Sequence, residues 1–102
     1  MAFSGGSYDE VRRWLWNFLT SHAKREDPRF EVEVEAGDAR EGKSYGARLV
    51  LGPHRSDGLE LDYAEVAARR GDLAWCRALA ERVRRHARAV IAGAGERRAG
   101  VG

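Results

Sequence analysis

Disulfide chemistry is the first thing this chain forgoes. Its one cysteine, Cys76, has no partner within the chain, so no internal disulfide staples the fold. Prolines are two, Pro28 and Pro53, which leaves long stretches free to be helical. No segment approaches the roughly 20 apolar residues of a membrane span. The start, MAFSGGSYDEV, holds no apolar run of signal-peptide length and no basic leader. These absences predict a cytoplasmic location.

Phosphate cradles are missing too. No stretch matches GxGxxG or GxxxxGK[ST]. The histidines, His22, His54 and His86, are widely separated and match no metal-ligand spacing. No metal or cofactor is expected. Lysine is scarce as well: 16 of the 18 basic residues are arginine. Alanine and glycine are abundant beside it, as a GC-rich coding bias would produce, so arginine richness alone says little about phosphate binding.

What is present fits one folded domain. The 102 residues are 33% charged and 43% hydrophobic, the balance of a soluble globular chain with a small core. The net charge of +2 conceals a division. Residues 1–65 hold 13 acidic and 9 basic side chains, a balance of −4; residues 66–102 hold 3 and 9, a balance of +6. Such asymmetry marks a candidate interaction surface.

Residues 1–6 form a loose lead-in to the domain. Ser7-Tyr8-Asp9-Glu10 spells a capping box. Val11, Trp14, Leu15, Phe18 and His22 follow at helical spacing, flanked by Tyr8 and Leu19, and predict a helix over 8–24. Pro28 limits it. Phe30 to Glu35 alternates apolar and acidic, the period of a half-buried strand. Residues 36–44, with Gly37 and Gly42, read as a hairpin loop, and Tyr45 to Leu51 as a second strand. Gly52 to Gly58 is rich in turn residues. Leu59 to Tyr63 alternates again as a third strand. Ala64 to Gly71 is ambiguous: with Asp62 and Glu65 as a cap it makes a short helix near 63–70, and a loop or a longer strand is the alternative. Asp72 is a good N-cap for a last helix. Its apolar face is Cys76, Leu79, Ala80, Val83, Ala87, Val90 and Ile91, and Ala92-Gly93-Ala94-Gly95 ends it. Residues 93–102 read as a mobile tail, leaving a domain over 7–92.

The expected fold is therefore α+β: a two-layer sandwich of helix, three-stranded antiparallel sheet and helix. Glu31, Glu33, Glu35, Glu60 and Asp62 would face water from the sheet, relieved by Arg48 and Val50. That element order resembles double-stranded RNA-binding domains. The resemblance is of architecture only. The second helix here opens on Asp72-Leu73-Ala74-Trp75-Cys76-Arg77 where that family has lysines, and Gly52-Pro53-His54 follows the second strand where the family's similar tripeptide precedes the first.

The chemistry-bearing candidates are few. Arg82 to Arg88, RVRRHAR, packs four arginines and a histidine into seven positions. At 100° per residue, Arg77, Arg84 and Arg88 share one flank of the last helix, Arg85 points outward, and Arg82 lies on the other flank with Trp75 and His86. The set is either a solvated helix face or a phosphate-tracking patch, the latter joined by Arg69 and Arg70. Trp16 lies outside the first helix's apolar arc and Trp75 at the edge of the last one's. Both are rim covers or interface anchors. Cys76 reads as an inert small hydrophobe. His22 reads as a partly buried, hydrogen-bonded residue.

Three functions follow, in order. The first is a non-enzymatic domain for protein association, including self-association of acidic sheet with basic helix, anchored by Trp16 and Trp75 and steered by Arg77, Arg82, Arg84, Arg85 and Arg88. The second is nucleic-acid binding through the same arginines. The third is an enzyme using His54 with Asp57, Glu60 or Asp62, which requires those groups to converge.

Overall fold

Four strands and three helices build the expected two-layer α+β sandwich. The structure, a computed structural model, describes residues 6–101, and of 96–101 the backbone alone. The lead-in up to residue 5 and the last residue of the tail lie outside the described residues. Helix α1 spans Tyr8–Glu26, strand β1 Glu31–Glu35, β2 Ser44–Leu51, β3 His54–Arg55, β4 Leu59–Asp62, helix α2 Tyr63–Arg69 and helix α3 Leu73–Val101. A single 3-10 turn, Asp38–Arg40, tightens the loop between β1 and β2.

The capping box forms as written: the Ser7 hydroxyl accepts the Glu10 amide and the Glu10 carboxylate accepts the Ser7 amide. Val11, Leu15, Leu19 and Ala23 are the fully buried row of α1. Trp14, Phe18 and His22 sit half-buried along the flank toward α3, so the buried arc is rotated from the one their spacing suggests. Three bulky rings at i, i+4 and i+8 fill the seam between two helices better than they would lie flat on a sheet. Trp14 stacks on Phe18 at 5.1 Å, Phe18 meets His22 at 4.5 Å, and Trp14 reaches Trp75 at 6.4 Å between ring centroids.

The sheet is antiparallel throughout. Val32 pairs with Leu49 and Val34 with Ala47, while on the other side of β2 Leu61 pairs with Tyr45 and Leu59 with Ala47. That register puts Val32, Leu49, Ala47, Tyr45, Leu59 and Leu61 on one face against the helices. A slip of one residue would expose all of them. Tyr45, fully buried, donates its hydroxyl to the Tyr8 carbonyl at 2.7 Å, and Tyr8 donates to the Ser44 carbonyl at 2.6 Å. This tyrosine pair, stacked at 4.6 Å, pins the start of α1 to the start of β2.

Three differences from the sequence reading matter. The ambiguous stretch is helix: the Asp62 carboxylate caps α2 by accepting the Glu65 amide, and Val66 and Ala67 are buried. The loop after β2 contains the short strand β3, paired with the end of β2. The last helix does not stop at Ala92 but continues through Ala92-Gly93-Ala94-Gly95 to Val101. A helical glycine costs only about 1 kcal/mol against alanine, and Glu96, Arg97, Arg98 and Ala99 are strong helix formers.

Candidate functional site

Strands β3 and β4 occupy one lane of the sheet, and a bulge separates them. Leu51 pairs with His54 and Val50 with Arg55, but Ala47 pairs with Leu59, so one extra residue has entered between. Ser56 holds the kink. Its amide donates to the Leu49 carbonyl at 2.9 Å, its hydroxyl accepts the Leu49 amide at 2.9 Å, and the same hydroxyl donates to the Asp57 carbonyl at 2.8 Å. Ser56 is buried, and its hydroxyl is fully engaged, which leaves it no role as a nucleophile.

The bulge sets what the lane shows. Leu49 uses its amide and carbonyl toward β3. Antiparallel alternation then makes Ala47 and Tyr45 do the same, so Leu59 and Leu61 bond inward. Glu60 lies between them, and its amide and carbonyl point away from β2, along an edge that no other described strand pairs.

Helix α3 runs antiparallel to this edge and leaves a seam with two clefts. Leu61, Glu65, Trp75, Ala78, Leu79 and Arg82 line the one near the start of α3. The Asp72 carboxylate caps that start by accepting the Trp75 amide at 3.1 Å. That hydrogen bond, with Arg69 beside it, holds the Asp72 carboxyl below its ordinary range. The second cleft, of about 310 Å³, lies at the bulge and is lined by His54, Ser56, Asp57, His86, Val90 and Gly93 among others. Burial, with Arg82 and Arg85 nearby, lowers the His86 pKa, and Asp57 partly opposes them. His54 and Asp57 thus converge, joined by His86, a residue the sequence reading did not put forward for chemistry. Glu60 and Asp62 do not join them: they lie on the outer sheet face and at the cap of α2. Among the described residues, no three His, Cys, Asp or Glu side chains are arranged to hold a metal ion.

The arginines of α3 scatter in three directions. Arg84 and Arg88 turn toward α1, where Glu26 receives both, at 3.9 and 3.1 Å, and Arg84 also meets Glu81 at 3.0 Å. Arg77 and Arg85 are exposed and have no ion-pair partner among the described residues. Arg82 is half-buried in the seam beside Trp75. The seven-residue run is therefore no single patch.

The tryptophans also part company. Trp75 belongs to the seam. Trp16 sits on the far side of α1, 43% exposed, and its indole N–H donates to the Val32 carbonyl at 3.0 Å. Val32 is on the open edge of β1, so Trp16 caps one acceptor of that edge.

The outer sheet face is less acidic than its alternation suggests. Arg40 arches from the 3-10 turn over Gly46 and binds Glu60 through both terminal nitrogens at 2.8 Å, with Glu35 at 3.8 Å. Arg55 reaches Glu33 at 3.4 Å. Most of these carboxylates are answered from within the molecule, which removes much of the charge a basic partner helix would meet. Arg40 and Glu26 carry no sequence signal, because their partners come from 20 and 62 positions away.

Cys76 is half-buried, its thiol 3.4 Å from the Arg70 carbonyl, and burial pushes its pKa up, with Asp72 adding to the effect. That suits an inert side chain. His22 is half-buried against Phe18, and the hydrogen bond expected of it is not found among the described residues. No described helix is long and apolar enough to cross a membrane. No protein-family model matches the chain, and neither a curated protein nor a solved structure matches it.

Proposed function

We propose that this protein is a non-enzymatic protein-binding domain that receives an extended segment of a partner along the seam between the β3–β4 edge and α3. One observation supports it above the others: a sheet edge with outward backbone groups lies beside a cleft furnished with Trp75 and Arg82. Strand addition draws affinity from main-chain hydrogen bonds and selectivity from neighbouring side-chain pockets. Glu60 supplies the backbone pair. Trp75, Leu61 and Leu79 take an apolar side chain, and Arg82 favours an acidic neighbour. Arg77 and Arg85, exposed on the outer side of α3, steer an acidic partner on approach.

Phosphate-backbone binding is the weaker reading, since Arg84 and Arg88 are already paired with Glu26 and the remaining cations face apart. The enzyme reading has converging groups in His54, Asp57 and His86, but among the described residues no free nucleophile lines their cleft.

Amide NMR of the labelled protein with a pool of unstructured decapeptides tests the proposal. The expected shifts fall on the Glu60 and Asp62 amides and the Trp75 indole. Ala78→Arg, on the exposed rim of the cleft, abolishes them. Shifts confined to β1, or indifferent to Ala78→Arg, would overturn the seam as the site.

A further inference from the structure

The two halves of α3 are held differently. The first is capped by Asp72, set against Trp14 through Trp75, and tied to α2 by the Cys76 thiol at the Arg70 carbonyl. The second, residues 84–95, fully buries only Ala87 and Val90, with Ile91 half-buried beside them. We propose that this second half is a pH-released strap: proton uptake at His22 and His86, one on each flank of it, frees residues 84–95 from α1 and from the sheet while the rest of the domain stays folded.

On the α1 flank, the ion pairs that hold the strap converge on one carboxylate. Glu26 receives Arg84 at 3.9 Å and Arg88 at 3.1 Å. His22 stands one turn before Glu26 on the same side of α1, and its ring packs on Phe18 at 4.5 Å. The charged groups that face it are Arg25 from α1 and Arg84 from the strap. A proton on His22 therefore adds a cation beside the arginine that fastens the strap. On the sheet flank, His86 lines the bulge cleft with His54, Arg55 and Asp57. The Arg55 guanidinium is drawn to Glu33, while Arg82 and Arg85 stand near His86 on its own helix. A proton on His86 thus meets two arginines and a second imidazole, with Asp57 as the one carboxylate of the cleft lining to answer them.

Little else fastens this segment. The Tyr8 hydroxyl binds α1 to the Ser44 carbonyl at 2.6 Å, and the Trp16 indole binds it to the Val32 carbonyl at 3.0 Å. Among the described residues, no hydrogen bond of this kind ties 84–95 to the sheet. Gly93 and Gly95 weaken its helix further, and a side chain at either would meet open space, so close packing does not account for them. Segments with few buried apolar contacts open at lower cost than the whole domain. Burial first, and the neighbouring arginines second, keep both imidazoles below 6.5, with Asp57 opposing at His86. The open form therefore takes up protons first, and opening gains as pH falls from 6.5 through the folded values. Release carries His86 and Val90 away from the bulge cleft. That consequence for a bound segment, and it alone, rests on the seam reading above.

Amide hydrogen exchange of the full chain, followed by NMR at pH 7.5 and 5.5 without any ligand, tests the strap. Protection factors divide out the pH dependence of the exchange chemistry itself. Val90 and Ile91 are expected to be less protected than Leu79 and Ala80 at pH 7.5, and to lose protection at least about threefold at pH 5.5. In the His22→Gln, His86→Gln double variant that loss disappears. Glu26→Gln, which keeps both histidines, lowers the protection of Val90 and Ile91 already at pH 7.5. Equal protection of Val90 and Leu79 at both pH values would mean that α3 opens only with the whole domain, and would overturn the strap. A loss that persists in the double variant would overturn the histidines as its trigger. Either failure is read on the free protein and leaves the seam reading as it stands.

Discussion

Arg40 grips Glu60 with both terminal guanidinium nitrogens, each 2.8 Å from a carboxylate oxygen, and it reaches Glu60 by lying across Gly46. A Cβ at position 46 would stand 2.7 Å from one of those nitrogens. The obstructing group is the end of a flexible side chain, so Gly46→Ala should move Arg40 and leave the strand in place. Hydrogen bonding from Arg40 keeps the Glu60 pKa below its ordinary range. The expected result is a Glu60 carboxyl that titrates higher in the variant, read by carbon-13 NMR. An unchanged Glu60 titration would show that the arginine does not need the glycine.

The bulge makes a sharper demand. Ser56→Ala removes the acceptor of the buried Leu49 amide. An orphaned buried amide costs about 1–3 kcal/mol, and each kcal/mol lowers Tm by about 4–8 °C in a domain of this size. Hydrogen exchange at Leu49 should quicken with it. Because Ser56 sits between His54 and Asp57 in the same cleft lining, the same variant is expected to weaken peptide binding along the seam. A melting point within one degree of the parent would remove Ser56 from this role.

Much of this was readable before the structure, and the failures share a cause. The alternation of Glu31 to Glu35, the Ser7–Glu10 box and the Asp72 cap are local signals, and each produced its element. The 100° spacing already divided Arg82 from Arg84 and Arg88. What escaped depends on partners distant in sequence. Strand β3 is two residues long and exists because Val50 and Leu51 lie opposite it. The meeting of His54 with His86 comes from α3 crossing the end of the sheet. The helix past Gly95 has another cause: Gly93 and Gly95 look like a stop, whereas the residues around them favour helix by a larger sum.

Trp16 guards an edge as much as it decorates a rim. Its indole caps the Val32 carbonyl on the open side of β1, and open strand edges pair with other copies unless protected. Trp16→Phe keeps the ring and loses the donor. The expected cost is about 1 kcal/mol or less, together with a rise in weight-average mass by sedimentation as β1 edges meet. The alternating glutamates of β1 oppose that pairing, so the rise should grow with salt, which screens them. A variant that stays monomeric at high salt would leave Trp16 as packing alone.

Acid should loosen the fold through two histidines. Burial, then Arg25 and Arg84, lowers the His22 pKa below 6.5; burial, with Arg82 and Arg85 against Asp57, does the same at His86. Both are bases depressed in the folded state, so the unfolded chain takes up protons first as pH falls. Their contribution is complete above pH 6.5 and is lost as pH drops from 6.5 through the folded values. Asp27, held down to about 2 by its hydrogen bonds from Arg29, behaves separately: its contribution is present above 3.8 and fades toward 2. Urea unfolding measured from pH 8 to 5.5 isolates the histidines. Stability is expected to decline across that range and to flatten in the His22→Gln, His86→Gln double variant. Equal slopes in the two proteins would mean that neither imidazole is held neutral by the fold. A slope lost with His86→Gln alone would place the acid sensitivity in the seam.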